Sequence, residues 1–167
     1  LLSMKLWSTD PVLKKLSLAN PIHFLALGFG SGLAAKAPGT FGTLAAIPLY
    51  FLMAGLPLSW YLGLTLLSVL AGFYICDKAS KDMGVHDHGA IVWDEVAGLL
   101  ITLIAAPAGW LWLAIGFALF RFFDILKPWP IKVLDAKVHG GIGIMIDDVL
   151  AGVFAFLCLQ GIVYLAG

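Results

Sequence analysis

Five long apolar stretches limit what this chain can fold into. Hydrophobic residues make up 61% of its 167 residues and charged residues only 12%, whereas about 25% are charged in a typical soluble domain. A helix needs about 20 apolar residues to cross a bilayer core, and shorter stretches can do so with tilt or a buried polar turn. The chain is therefore predicted to be an all-α, polytopic membrane helical bundle with about five transmembrane or partly re-entrant helices, in the stretches 41–56, 60–76, 96–106, 110–123 and 149–166.

The charges predict how this bundle lies in the membrane. The connections 54–60 and 106–110 and the C-terminal tail carry no charge, so threading five spans puts every Lys, Arg, Asp and Glu on one side. The positive-inside rule makes that side cytoplasmic, with the N-terminus inside and the C-terminus outside. Residues 1–20 are amphipathic and are expected to lie on the cytoplasmic leaflet, and 1–167 form a single membrane-embedded domain. Ten basic and ten acidic residues give a net charge of zero, so the composition does not indicate nucleic-acid binding.

Four polar clusters interrupt the apolar pattern, and the first is the loop Pro38-Gly-Thr-Phe-Gly-Thr43. Backbone N–H groups and hydroxyls at a helix N-terminus can bind an anion. Thr40 and Thr43 are therefore candidate substrate-binding residues. In the alternative interpretation, the glycines only allow close helix packing.

The second cluster runs from Lys81 through the sequence His86-Asp87-His88 to Asp94 and Glu95, in the first turn of a predicted helix. A His-Asp-His sequence is able to ligate a transition metal. Oxygen ligands dominate nearby, however, and hard cations such as Mg²⁺ prefer them. In the alternative interpretation, the two acids only favour a helix N-terminus electrostatically.

The third cluster contains Arg121, Asp124 and Lys127, spaced three residues apart before Pro128 ends the helix. This spacing places the three side chains along one stripe. They form either a local ion-pair ladder or a carboxylate ligand flanked by two cations that hold phosphate oxygens. Arg121 is the only arginine in the chain, which favours the functional interpretation.

The fourth cluster is a glycine-rich loop from His139 that leads into a helix predicted to begin at the acidic pair Asp147 and Asp148. It echoes the second cluster, since an Ala-Gly pair follows the acids in both. Two acidic helix starts that meet in a small bundle predict a cation site.

Together the clusters favour metal-assisted phosphoryl transfer on a lipid headgroup at the membrane surface. A divalent-cation transporter is a second possibility, but it needs charged groups near the bilayer midplane, and these acids gather at one edge. An assembly subunit for other lipid enzymes is a third.

The motifs taken together closely resemble those of the bacterial phosphatidylglycerophosphatase A family, over about residues 18 to 160. The segments that carry the resemblance are Asn20-Pro, Gly28-Phe-Gly-Ser-Gly-Leu33, Pro38-Gly-Thr-Phe-Gly-Thr43, Lys81-Asp-Met-Gly-Val-His-Asp-His-Gly89, Ile91-Val-Trp-Asp-Glu95, Asp124-Ile-Leu-Lys-Pro-Trp-Pro-Ile131 and His139-Gly-Gly-Ile-Gly-Ile-Met-Ile-Asp-Asp148.

The resemblance implies an Mg²⁺-dependent phosphatase of the bacterial inner membrane. Its substrate would be phosphatidylglycerophosphate and its product phosphatidylglycerol, in the pathway that leads on to cardiolipin. In this hypothesis the Mg²⁺ ligands are Asp94, Glu95, Asp147 and Asp148. The catalytic residues are His86, Asp87, His88 and Asp124. Substrate is bound by Thr40, Thr43, Lys81, Arg121 and Lys127.

Overall fold

A computed structural model describes residues 11–34, 38–84, 88, 90–138 and 140–166. Over these residues the chain is all-helical, as predicted, and contains no strand. Two short 3-10 helices, Pro11–Lys15 and Ser31–Leu33, accompany seven α-helices. The α-helices are α1 (Pro21–Ala26), α2 (Pro38–Ala54), α3 (Leu58–Met83), α4 (Trp93–Thr102), α5 (Trp110–Leu126), α6 (Ile131–Lys137) and α7 (Gly140–Ala166).

Local chemistry explains where several helices begin and end. The side chain of Asn20 accepts a hydrogen bond from the Ile22 N–H at 2.9 Å, which caps α1. Gly84 ends α3 at a φ of +73°, in the left-handed region that glycine enters at no steric cost. Helix α5 ends at Leu126, ahead of Pro128, which is where the sequence predicts the end.

All five predicted apolar stretches overlap α-helices, but the helices differ in length and burial. Helices α3 and α7, of 26 and 27 residues, are long and apolar enough to cross a membrane. Helix α2 is apolar but shorter. Helix α4 has ten residues, and all ten are buried. Of the predicted N-terminal segment, residues 1–10 lie outside the described residues, and Pro11–Lys15 form a 3-10 helix with Lys14 and Lys15 in its last turn.

Two predicted loops are instead helical. The segment Pro38-Gly-Thr-Phe-Gly-Thr43 forms the first turns of α2 rather than a loop before it. Helix α7 begins at Gly140, so Asp147 lies seven residues inside it rather than at its start. The sequence predicted loops at these two segments because both are rich in glycine. Close packing of the glycines against neighbouring helices outweighs the helix-propensity cost of about 1 kcal/mol for each glycine.

Helix α4 lies at the centre of the bundle, against α2, α3, α5 and α7. It approaches α7 closely at two glycines, since a Cβ atom on Gly152 would lie only 2.7 Å from the carbonyl oxygen of Gly98. Gly98 follows Asp94 by four residues, and Gly152 follows Asp148 by four. Residues four apart share a helix face, so this contact brings the acids of α4 next to the acids of α7.

The outer surface carries many exposed apolar side chains. Trp60, Leu67, Trp110 and Leu165 are 66%, 60%, 72% and 84% exposed. Monomeric soluble proteins rarely expose contiguous apolar surface on this scale. The polar groups are instead concentrated at the end of the bundle where α4 and α7 begin and α5 ends.

Candidate active site

A pocket of about 310 Å³ lies where α2, α4, α5 and α7 meet. Helix α4 contributes the acids of its first turn, α5 those near its C-terminal end, and α7 those of its third turn. Five carboxylates line the pocket, and each residue is at most 9% exposed. They are Asp94, Glu95, Asp124, Asp147 and Asp148.

These carboxylates form two overlapping groups. Oxygen atoms of Asp94, Glu95 and Asp148 lie within 4.8 Å of one another, and so do oxygen atoms of Asp124, Asp147 and Asp148. Asp148 belongs to both groups and is 1% exposed. The predicted meeting of two acidic pairs is therefore observed, with Asp124 of α5 as a fifth member.

The donor set fits a hard divalent cation. Asp147 Oδ1 and Asp148 Oδ2 are buried, and no hydrogen bond from the described residues reaches either atom. Among the described residues, two permanent cations, Arg121 and Lys127, line the pocket beside five acids. Buried carboxylates are costly without compensating positive charge, and all-oxygen ligand sets are those that Mg²⁺ prefers.

Arg121 connects the two carboxylate groups, and Lys127 contacts the second of them. Nη1 of Arg121 donates to Glu95 Oε2 at 3.1 Å and also to Asp124 Oδ2. Nζ of Lys127 donates to Asp147 Oδ2 at 2.7 Å and lies 3.4 Å from Asp135 Oδ1. Burial alone would lower the pKa of Lys127, but its bond to Asp147 and the surrounding negative charges raise that pKa above its usual value. Lys127 therefore stays positively charged at neutral pH.

Comparison with known proteins identifies the family to which the chain belongs. The sequence profile of the phosphatidylglycerophosphatase A family matches residues 24–163. The chain is 52% identical over 159 residues to phosphatidylglycerophosphatase A of Escherichia coli, an alignment that covers 95% of this chain and 90% of the relative. It is 54% identical over 154 residues to the Haemophilus influenzae protein of the same name, over 91% of this chain and 94% of the relative.

The chain belongs to the phosphatidylglycerophosphatase A family. The family predicted from the sequence motifs is therefore confirmed, and so is the prediction that the protein is an enzyme. No solved structure matches the chain.

Among the predicted catalytic residues of this phosphatidylglycerophosphatase A family member, Asp124 and His88 line the pocket. Nδ1 of His88 accepts a hydrogen bond from the Ala90 N–H at 3.0 Å. His86 and Asp87 lie outside the described residues. The four predicted metal ligands all line the same pocket.

The predicted substrate-binding residues divide into two sets. Arg121 and Lys127 line the pocket, whereas Thr40, Thr43 and Lys81 are not among its lining residues. The Thr43 hydroxyl is fully buried and donates to the Gly39 carbonyl at 2.8 Å within α2. Lys81 is exposed and pairs with Asp77 at 2.9 Å.

Sequence reasoning missed two features of the site. Gly39 approaches it so closely that a Cβ atom there would lie 3.0 Å from Glu95 Oε1 and 3.3 Å from Arg121 Nη1. The glycines of the 38–43 motif were a signal for such an approach. Asp135 reaches Lys127 from α6, and no local spacing indicates this pairing because a turn separates the two residues.

Proposed function

We propose that this protein is an Mg²⁺-dependent phosphatase that converts phosphatidylglycerophosphate to phosphatidylglycerol and inorganic phosphate. The observation that carries the proposal is the pair of carboxylate groups that share Asp148 beside Arg121 and Lys127. The names of its two bacterial relatives supply the substrate. The reaction would belong to phosphatidylglycerol synthesis, upstream of cardiolipin.

In this proposal Asp94, Glu95 and Asp148 hold one Mg²⁺, and Asp124, Asp147 and Asp148 hold a second. Bound Mg²⁺ supplies Lewis-acid stabilisation of phosphoryl oxygens and a lowered pKa for bound water. The carboxylates are buried and fixed by their helices, so the site needs little rearrangement to bind cations. Asp124 also accepts from Arg121, and it serves either as a ligand or as a base.

Arg121 and Lys127 bind the phosphate of the headgroup. Arg121 uses Nη1 for both of its carboxylate partners, and its buried Nε has no hydrogen-bond partner among the described residues. The guanidinium group therefore has donor capacity left for phosphate oxygens. Lys127 adds a second positive charge on the α5 side of the pocket.

Departure of the glycerol oxygen requires a proton. A histidine delivers a proton from its doubly protonated ring, and in His88 that form would give up the hydrogen bond that Nδ1 accepts from Ala90. His88 lines the pocket, and we propose it or His86 as the general acid, with Asp87 kept as a further ligand or base. General acid catalysis contributes about 10²–10⁴-fold.

We also propose that the whole chain, residues 1–167, is one membrane-embedded domain of the bacterial inner membrane. Helices α3 and α7 would span the bilayer, with the shorter α2, α4 and α5 as spanning or partly re-entrant helices. The support is that the N-terminal ends of α2, α4 and α7 and the C-terminal end of α5 all border the acidic pocket. Arg121 and Lys127 lie at that end, so in this proposal the pocket faces the cytoplasm, with the N-terminus inside and the C-terminus outside.

The test is phosphate release from phosphatidylglycerophosphate by the purified protein in detergent micelles, with Mg²⁺ and then with EDTA. Release that requires Mg²⁺ is expected for the wild type and for Asp82→Asn, whose site lies outside the pocket. Asp94→Asn should release almost none. Release by the wild type that is unchanged in EDTA would contradict the metal dependence, and no release from folded wild-type protein would contradict the activity.

A further inference from the structure

An apolar groove of about 260 Å³ lies between α2 and α5. Leu44 and Ile47 line it from α2, and Trp110, Leu113, Ala114 and Phe117 line it from α5. Both helices pack on the central helix α4, so the groove is the surface seam left between them. No residue that lines it is charged.

The groove begins about one helical turn from the acidic pocket. Phe117 precedes Arg121 by four residues on α5, so the lining residue and the phosphate-binding arginine share a face. On α2, Leu44 lies five residues beyond Gly39, whose backbone approaches the Arg121 guanidinium. One end of the groove is therefore close to the site where the phosphate is proposed to bind, although the two sets of lining residues do not overlap.

An aromatic pair lies at the other end. The rings of Phe51 and Trp110 are edge to face, with centroids 5.2 Å apart. Eleven residues separate Trp110 from Arg121, which is about 16 Å along a helix. This distance is about half the thickness of a bilayer core of about 30 Å, so an acyl chain whose phosphate lies at Arg121 would reach the aromatic pair within one leaflet.

We infer that this groove holds one acyl chain of the phospholipid substrate while its phosphate occupies the acidic pocket. The inference rests on the proposed function and adds a lipid-binding subsite to it. The apolar pocket on α3, lined by Ser59, Trp60, Gly63, Leu64 and Leu67, shares no helix with the acidic pocket. The α2–α5 groove instead begins about one turn from the phosphate site and has an aromatic pair at its far end.

The contribution of this groove is orientation rather than affinity. An acyl chain in a bilayer is already in apolar surroundings, so moving it against Leu44 or Phe117 gains little hydrophobic free energy. A chain held in the groove restricts the rotation and depth of its headgroup. Correct placement of the phosphate matters because a misplacement of about 1 Å can cost about 10²-fold in rate.

The experiment blocks the groove and compares two substrates. Ala114→Trp fills it from α5, and Leu44→Trp narrows it from α2. The matched control is Ala118→Trp, at an exposed alanine one turn further along α5 that does not line the groove. Long-chain phosphatidylglycerophosphate and a short-chain analogue with the same headgroup are assayed at equal mole fraction in mixed micelles, with Mg²⁺ present.

The measured quantity is the ratio of kcat/KM for the long-chain substrate to kcat/KM for the short-chain analogue. Ala114→Trp should lower this ratio about tenfold relative to the wild type, because the long chain then cannot align its headgroup. Ala118→Trp should leave the ratio unchanged. Thermal unfolding shows whether each variant is folded. If Ala114→Trp does not fold, the ratio measured for Leu44→Trp is used in its place.

Two results overturn the inference while the proposed function stands. In the first, the ratio is the same in the groove variants as in Ala118→Trp, which means that bulk lipid or another copy of the chain covers the groove. In the second, both substrates lose activity equally, which means that the substitutions disturb the protein generally. Wild-type protein that is inactive on both substrates would instead refute the proposed function, and the groove assignment with it.

Discussion

Two groups of acidic and basic residues in this protein differ in how their charges are balanced. In the C-terminal part of α3, both acids of the helix have basic partners. Asp77 pairs with Lys81 at 2.9 Å, and Asp82 lies 2.9 Å from Lys78 and 2.6 Å from His23. Most of these side chains are partly or largely exposed, and they have the i,i+4 spacing of an ordinary helix surface.

In the pocket the balance is different, because over the part of the chain that the structure describes five buried acids face two permanent cations. Excess negative charge in a buried site destabilises the fold unless a cation joins it. Proteins retain such costly arrangements mainly at functional sites. The comparison teaches that unbalanced, buried charge distinguishes the candidate active site from a stabilising surface network, although both combine acids with basic side chains.

The largest expected effect is that of Asp148→Asn, because Asp148 is shared by both carboxylate groups. The substitution should reduce phosphate release by about 10³-fold, the scale on which loss of one key electrostatic group acts. Asp124→Asn, in one group only, should reduce it less. Both rates are measured at saturating Mg²⁺, and equal losses in the two variants would argue against a shared ligand.

A loss of about 10²-fold in kcat/KM is expected for Arg121→Lys, because Nη1 of Arg121 bridges Glu95 and Asp124 and lysine lacks the further guanidinium donors that would bind phosphate oxygens. The matched control is Lys81→Arg in the α3 network. Its activity should equal that of the wild type. Wild-type activity in Arg121→Lys would show that one positive charge is enough at this position.

Mg²⁺ should raise the thermal midpoint of the wild type. A ligand at 100 times its Kd stabilises the folded state by about 2.7 kcal/mol. Asp148→Asn should abolish most of the increase that Mg²⁺ causes. In EDTA, however, the variant should have a higher midpoint than the wild type, because the substitution removes one excess buried charge. Thermal unfolding with Mg²⁺ and with EDTA tests both statements, and a lower midpoint for the variant in EDTA would contradict the charge argument.

A smaller effect is expected for Gly39→Ala, whose Cβ would crowd Glu95 Oε1 and Arg121 Nη1 at 3.0 and 3.3 Å. Those side chains must shift by a few tenths of an ångström, which should lower kcat/KM about fivefold through misplacement. Gly55→Ala is the control, because a Cβ there meets nothing within 4 Å. If the two variants have equal activity, the pocket tolerates the shift.

The smallest expected effect is that of Asp82→Asn in the balanced α3 network. Activity should match the wild type, and the thermal midpoint should fall only slightly, because partly exposed ion pairs contribute little. Phosphate release and thermal unfolding measure the two. A large loss of activity would mean that the α3 network positions the site, and the contrast between the two regions would then fail.

Much of the fold and the site could be predicted from local sequence. The apolar stretches predicted the helices, and the placement of Asp94 and Glu95 in a first turn is observed. The start of α7 was wrong by seven residues, because glycines that usually break helices serve here as close contacts. Thr43 and Lys81 share motifs with the site residues, but their partners are Gly39 and Asp77.

The sequence by itself determined the family, the all-helical class and the acids that gather at one end of the bundle, since these depend on composition, periodicity and motif spacing. Only the tertiary structure decided that Asp148 joins two carboxylate groups, that Arg121 reaches Glu95, and that a groove runs between α2 and α5. The physical reason is that interhelical distances depend on side-chain volume at crossing points. The Gly98–Gly152 contact brings Asp94 and Asp148, which are 54 positions apart in the sequence, into one pocket. No local pattern specifies that pairing.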